Sequence, residues 1–382
     1  MFSFMAYNFL SGPWPLVLFW WLTLLCAVQE LTLAGAFLFK GNSSRSSAEG
    51  GGVSIIVAAH NELANLKHLL PMLEAQHYVD FEIVLADDRS SDGTREWMHA
   101  EMAKFPRLRY LTIDEVPEGH NTKKYALTRA IQSASYDLLV LTDADCRPFD
   151  QEWLATMAGS FHNGTSIVIG YSPYRKADGL LNSFIRYETL LTGFQYIGSA
   201  LLGRPYMAVG RNLAYRRSLF MKNNGFEGIS HITGGDDDLL VNRLATADNT
   251  AVVTHRSSQM WSIPKKTWRA YFRQKTRHLS AGKHYRLADK FFTGIFALSV
   301  VAWWAVFFIS LVNAFGNENE LTSVGTGFLV RTTIHVLAMC TAIRVLGERF
   351  RWWYLPLYHL IFAVYYTLTG AAALLKKRIR WI

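Results

Sequence analysis

An α/β domain built on a mostly parallel sheet, joined to N- and C-terminal transmembrane helices, is the fold class this sequence predicts. Three observations carry the prediction. From residue 53 to residue 142, strand-length apolar runs alternate with polar loops and helical periodicity, the pattern of a sheet with helices on both faces. One run, Leu138-Leu139-Val140-Leu141-Thr142, climbs directly into Asp143-Ala144-Asp145-Cys146; it reads as a strand buried on both sides whose carboxyl end, where open α/β sheets bind ligands, carries two carboxylates. Residues 14–39, 291–312 and 352–375 are nearly free of charge, and each is about as long as the roughly 20 apolar residues that cross a bilayer.

The composition fits a chain of two characters. Half of the 382 residues are hydrophobic and only 18% are charged, low for a soluble enzyme of this length. The deficit is confined to the apolar stretches, and residues 53–286 have ordinary globular composition. The expected divisions are a short external N-terminus (1–13), a transmembrane anchor (14–39), a Gly/Ser linker (40–52), a cytoplasmic domain (53–286) and a C-terminal membrane region (287–382). Within the last, spans are expected near 291–312, 328–346 and 352–375; the middle one is weakened by Arg331, His335 and Arg344.

The first apolar segment has no basic region before it and no small-residue cleavage site after it, so it reads as a retained anchor. No Lys or Arg precedes Trp14, whereas Lys40 and Arg45 follow, which places the middle domain in the cytoplasm of an inner, multi-pass membrane protein. The loop 313–327 carries two Glu and no basic residue and is expected outside, with Arg344, Arg349 and Arg351 inside. Four full spans would set Lys376, Lys377, Arg378 and Arg380 outside, against the same rule, so either the third segment or the fourth, with Pro356, is expected not to cross fully. Glu30 falls near the middle of the first segment, where an ionisable group needs a partner; His335 or Arg331 is the expected one.

In the middle domain, residues 53–59 read as a strand, followed by His60-Asn61-Glu62 and a helix over 63–73. Residues 81–86 form a second strand, with the polar loop 87–94 ahead of another helix. Residues 108–113 supply a third strand, 123–133 a helix opened by Lys123 and Lys124, and 166–171 another strand. Residues 180–202 read as a core helix. The asparagine sequon Asn42-Ser43-Ser44 is expected to stay unmodified if it faces the cytosol.

Polar residues thus collect at three successive strand ends. Carboxylates two apart beyond a strand end suit one hard cation, Mg²⁺ or Mn²⁺, and leave positions for water and phosphate oxygens. Asp88 is placed to accept from a nucleobase N–H or to cap a turn, and Lys123 and Lys124 to reach a diphosphate. Further on come Val209-Gly210-Arg211-Asn212, the run Gly234-Gly235-Asp236-Asp237-Asp238, and Gln274, Arg277 and His278 within one helical turn.

Several classes are excluded. Neither a Gly-rich dinucleotide fingerprint nor a phosphate-loop motif occurs, and the three Cys form no zinc or disulfide spacing. The net charge of +9 is spread through the domain and along the membrane flanks, which suits lipid headgroups and a nucleotide diphosphate and gives no case for nucleic acid.

The ordered set 53–62, 87–94, 123–131, 142–146, 210–215, Gly235-Asp236-Asp237-Asp238-Leu239 and Gln274-x-x-Arg277 resembles the family 2 glycosyltransferases, inverting membrane enzymes related to cellulose, hyaluronan and ceramide glucoside synthases. The resemblance implies a GT-A fold, a nucleotide-sugar donor (usually UDP-linked) and Mg²⁺ or Mn²⁺. Carried over by position, Glu62, Asp88, Lys124, Asp143 and Arg277 hold the donor. Asp145 binds the metal with Asp143 beside it, and Asp236 is the base. Asn212, Asp237, Gln274 and His278 meet the acceptor or the diphosphate. The implied activity is sugar transfer to a lipid or glycan hydroxyl at the cytoplasmic membrane face. The alternatives are transfer to a polyprenyl phosphate and a non-catalytic sugar-nucleotide-binding subunit of a polysaccharide synthase. Gly235 stands where the family has Glu and His278 where it has Trp; the latter argues against a processive synthase.

Overall fold

The computed structural model describes residues 12–41, 51–162 and 164–375; the sequon at 42–44, Arg45 and the basic cluster 376–380 lie outside them. The membrane helix α1 (Trp14–Lys40) precedes the strand-helix series β1 (Val53–Ala59), α2 (Leu63–Glu74), β2 (Phe81–Asp88), α3 (Thr94–Glu101), β3 (Leu108–Ile113), α4 (Thr122–Ser133) and β4 (Leu138–Asp143). Then follow β5 (Cys146–Pro148), α5 (Trp153–Ala158), β6 (Ile167–Gly170), α6 (Leu180–Leu201), β7 (Leu213–Arg216), α7 (Arg217–Lys222), α8 (Asp238–Leu244), β8 (Thr250–Val253), β9 (Met260–Ser262) and α9 (Trp268–Ala281). Three long helices close the described chain: α10 (Leu287–Asn313), α11 (Glu318–Val345) and α12 (Leu355–Leu375).

The seven-stranded sheet has the order β3-β2-β1-β4-β7-β6-β8, and β5 pairs with β9 separately. The β3, β2, β1 and β4 strands are mutually parallel, whereas β7 runs antiparallel to both β4 and β6. Register explains why the polar residues gather. Ala59 of β1 lies beside Asp87 of β2, and Ala58 lies beside Asp143 of β4, so the acidic strand ends share one edge of the sheet. Asp87 and Asp88 are the last residues of β2 rather than the start of its loop.

Strand alternation divides the core. Val53, Ile55 and Val57 face Leu66, Leu69, Met98 and Trp153. Ile56 and Val84 face the opposite way, onto Ala126, Leu127 and Ile131 of α4, in a cluster that continues into the membrane helices through Phe37 and Trp303. Helix α6 is the bridge: it is buried almost throughout, and Phe194 stacks on Phe37 of α1 with centroids 5.6 Å apart.

Among the described residues four helical segments, α1, α10, α11 and Trp352–Ala372, which overlaps α12, are long and apolar enough to cross a membrane. Helix α11 begins ten residues before the expected span, because the Asn317 side chain caps the free N–H groups of Asn319 and Glu320. Much of the expected external loop is therefore helical. Its charged residues are what hold it in place. Arg331 grips Glu30 through both guanidinium ends at 2.7 and 2.9 Å, and His335 Nδ1 meets the same carboxylate at 2.9 Å. Both expected partners of Glu30 are used at once, and Tyr187 of α6 adds its hydroxyl to His335 Nε2 at 3.1 Å.

Candidate active site

The β4 strand delivers Asp143 to the sheet edge, helix α4 delivers Lys123, and the turn before α8 delivers Asp236. Lys123 Nζ lies 2.9 Å from Asp143 Oδ1 and 2.8 Å from Asp236 Oδ2. Burial works against the Lys123 charge, but Asp143 and Asp236 outweigh it and hold the proton well above the ordinary lysine range. Burial alone would raise Asp236; the ammonium of Lys123 more than offsets it and holds this carboxyl below its usual value. Leu127, Leu141, Thr142, Gly210, Leu213 and Asp237 complete the lining of the small cavity around these three groups.

The three consecutive carboxylates have separate tasks. Gly234 and Gly235 both adopt left-handed backbone, with φ of 79° and 77°, so the chain turns sharply into the helix. A Cβ at Gly235 would lie 2.4 Å from the Leu239 side chain, which is why this turn excludes the glutamate of the resembling family. Asp237 is the N-cap: its two oxygens accept from Asp238 N at 2.8 Å and Gly210 N at 2.6 Å. Asp238 accepts from the Tyr285 hydroxyl at 2.9 Å; burial, then Asp237, push its carboxyl up to about 8. The helical spacing of the run predicts that one of Asp237 and Asp238 caps free N–H groups and that the other faces solvent or Arg243; Asp237 is the cap, and the other half is corrected. Asp238 faces neither solvent nor Arg243, which donates instead to the Glu227 carbonyl at 2.6 Å. Of the three, Asp236 is the one that forms an ion pair with Lys123.

Asp145 projects beyond β4. Burial and then Asp143 push its carboxyl up, with Lys265 and Arg211 opposing. Glu62 is raised by burial, and it too feels Asp145 and Asp143 while accepting from Asn65 Nδ2 at 2.6 Å. Three carboxylates whose charges resist one another in a half-buried edge, all with oxygen donors, suit a hard divalent cation. Two of them as ligands would leave most of the roughly six positions of Mg²⁺ or Mn²⁺ to phosphate and water. Among the described residues the grouping whose ligand atoms lie close enough to share one ion is a different one, Glu30, His335 and His359. There both Glu30 oxygens are already held by Arg331, so a cation would meet a guanidinium.

Other expected residues stand differently. Asp88 is buried and bound to Arg89 Nε at 2.9 Å, so a nucleobase must compete with that pair. Gln274 Nε2 contacts the Tyr174 hydroxyl at 3.4 Å while its Oε1 is buried without a partner. His278 is on the exposed side of α9, one residue beyond Arg277. Two expectations are corrected outright. Lys124 is 1% exposed and donates to the carbonyls of Ile229 and Ile232 at 2.7 and 2.9 Å; it ties down the 229–232 loop and does not reach a donor. Asn212 is fully buried, donating to the Tyr171 and Ser258 carbonyls and accepting from Trp153 Nε1, so it anchors a turn and meets no acceptor.

Lys123 is the residue that sequence reading underweighted. It and Lys124 are one helical step, about 100°, apart, and each stands three or four residues from buried members of α4, so periodicity could not choose between them. Tyr174 and Tyr285 had no pattern to mark them, since both reach the site from outside any motif.

Comparison with known proteins bears on the family and the fold. Residues 54–223 match the family described as Glycosyl transferase family 2. The chain is 25% identical over 213 residues to Glycosyltransferase AglE of Haloferax volcanii, covering 53% of this chain and 64% of that protein. It is 30% identical over 157 residues to a dolichol-phosphate mannosyltransferase of Pyrococcus furiosus, covering 40% of each. The match thus spans less than two thirds of the length of either curated relative. Among solved structures, the mannosyltransferase PcManGT from Pyrobaculum calidifontis, in complex with GDP-Man and Mn²⁺, superposes with a TM-score of 0.57 at 15% identity, over 94% of this chain and all of that one. That likeness establishes the fold.

Proposed function

Starting from the family 2 glycosyltransferase domain that this chain carries, we propose that it is a metal-dependent inverting glycosyltransferase moving a sugar from a nucleotide-sugar to a lipid or glycan hydroxyl at the cytoplasmic face of the membrane. The single observation that carries the reading is the Asp143–Lys123–Asp236 bridge beside Asp145, at the ligand-binding edge of the parallel sheet. Inversion needs a base on one face of the sugar and positive charge toward the leaving diphosphate on the other. Asp236 accepts the proton of the acceptor hydroxyl as its oxygen bonds to the anomeric carbon. The bond from that carbon to the diphosphate oxygen breaks, and the electron pair leaves with the nucleoside diphosphate.

Asp145, with Asp143 beside it, would hold Mg²⁺ or Mn²⁺, which would supply positive charge to the diphosphate. Glu62 and Asp88 border the nucleoside, and Gln274 and Arg277 approach from α9. Lys123 keeps Asp236 ionised before the donor arrives. Donor phosphates that draw the ammonium away would raise the proton affinity of Asp236 at the moment it is needed. The relatives' GDP-Man and dolichol-phosphate mannose chemistry makes GDP-mannose the first donor to try, with UDP-sugars second.

Membranes containing the full chain, incubated with labelled GDP-mannose and a panel of UDP-sugars, are expected to transfer label into lipid or glycan from one donor. Absence of both transfer and donor hydrolysis across the panel overturns the reading. Asp145→Asn keeps size and removes charge, so turnover should fall to background while thermal unfolding is unchanged. Activity in that variant, or in the wild type with EDTA, would remove the metal from the scheme.

The basic residues after the first span support a cytoplasmic location for the domain at 53–286. Reporter fusions at Ser47 and Asn319 are expected to read inside and outside respectively, and the reverse pattern moves the chemistry to the other face. A second reading is favoured by the low proton affinity of Asp236 and by the 30% identical dolichol-phosphate relative. A polyprenyl phosphate acceptor is already an anion and needs no base, so full activity in Asp236→Asn with such an acceptor selects that reading.

A further inference from the structure

We infer that Arg211 is a binding residue for the nucleotide diphosphate, acting as a fixed cation beside Asp143 and Asp145; this deepens the glycosyltransferase reading and rests on it. Arg211 sits in the single turn Gly210–Asn212 between the end of α6 and β7. That turn is clamped on both sides. The Gly210 amide donates to Asp237 Oδ2 at 2.6 Å, and Asn212 is locked by its three buried hydrogen bonds. A Cβ on Gly210 would press on Asp237 at 3.2 Å, so the backbone of this turn has little freedom. The side chain between the clamps is therefore aimed by a rigid support.

Its guanidinium lies over the ring of Tyr174, 4.5 Å from the centroid, and Tyr174 is in turn contacted by Gln274 of α9. The charge is felt by Asp145 and Asp143, yet neither forms an ion pair with it among the described residues. Nη1 is shielded from solvent and has no hydrogen-bond acceptor. An unpaired N–H of a buried cation is expensive and is seldom kept without a use. The neighbouring Gln274 Oε1 is unpartnered as well. A planar fork held over an aromatic ring, beside carboxylates suited to a cation, suits the bidentate contact by which arginine takes phosphate oxygens. Two successive phosphates fit better than one, because the guanidinium would take oxygens of one phosphate and leave the other to the cation that Asp145 and Asp143 would hold.

The test compares binding of UDP with UMP, and of GDP with GMP, to the detergent-solubilised full chain in Mn²⁺. Wild type, Arg211→Met and Arg211→Lys are measured, each checked by thermal unfolding. For whichever base binds, Arg211→Met is expected to weaken the diphosphate by about tenfold or more while the monophosphate changes little. Arg211→Lys should fall between, since it keeps charge but loses the fork and the ring contact. An unchanged diphosphate-to-monophosphate ratio in Arg211→Met overturns the inference. If that variant does not fold, an unchanged ratio in Arg211→Lys does the same. Should the wild type bind none of the four nucleotides, the glycosyltransferase reading itself fails and this inference with it. Binding by the wild type with an unaltered ratio in the variants removes only the role of Arg211.

Discussion

Asp236→Asn is expected to retain donor binding and to lose sugar transfer to a hydroxyl by a factor on the order of 10²–10⁴, the usual cost of removing a general base. The other two carboxylates of the run should behave otherwise. Asp237→Asn removes the charge that caps α8 and receives the Gly210 amide, which lowers stability by about 1 kcal/mol and leaves most of the turnover. Asp238→Asn disturbs the bond from Tyr285 in a group already pushed toward its neutral form. Steady-state rates with the identified donor, alongside melting curves, separate these outcomes. A dead Asp237→Asn beside a normal Asp236→Asn would shift the assigned base by one residue.

The same site makes a pH prediction. Lys123 holds the Asp236 carboxyl below its ordinary range, so in the free enzyme the base is ionised throughout the neutral region, and kcat/KM should fall only in acid. Lys123→Met removes the ammonium but leaves the burial, which raises the carboxyl. The acid limb of the kcat/KM profile is therefore expected to move to higher pH. A limb that stays in place in the folded variant would mean that Asp236 is not the titrating base.

The second large effect belongs to the membrane. Glu30, Arg331 and His335 are almost wholly buried and belong to α1 and α11. Removing one member leaves an uncompensated buried charge, and breaking such pairs costs about 3–5 kcal/mol in proteins generally. Arg331→Leu is expected to lower the thermal midpoint and the yield of folded protein more than the double replacement Glu30→Leu/Arg331→Leu, which removes both charges. Glu30→Gln should be milder than Arg331→Leu because it retains hydrogen-bonding atoms. Equal stability of Arg331→Leu and wild type would show that the contact carries no net stability. Since Tyr187 of α6 joins the cluster through His335, a loosened cluster should also slow catalysis, by allowing α6 to shift beneath the domain.

The sequence by itself determined the alternation that builds the sheet, because an apolar run buried on both faces has no other arrangement, and it determined which strand ends carry charge. It marked the Asp143 and Asp145 pair for the same reason: residues that end a buried strand must emerge at its carboxyl edge. It also marked Glu30, since a carboxylate in an apolar helix needs a partner, and there were few to choose from. What only the tertiary structure decided is how neighbouring polar residues divide their tasks. Lys123 and Lys124 are alike in chemistry and in local pattern. One bridges two carboxylates because α4, packed on β1 and β2, brings it to Asp143 and Asp236, and the other is consumed by carbonyls of a loop more than a hundred residues away. Asn212 looked like a ligand and is a strut, because its partners Trp153, Tyr171 and Ser258 lie on separate segments. Arg211 lay inside the 210–215 motif with no role to mark it, since a cation becomes distinctive only when the fold sets it over an aromatic ring and leaves its Nη1 without an acceptor. Periodicity records which face of an element is buried, whereas the partner of a polar atom depends on chain crossings that are nonlocal in sequence.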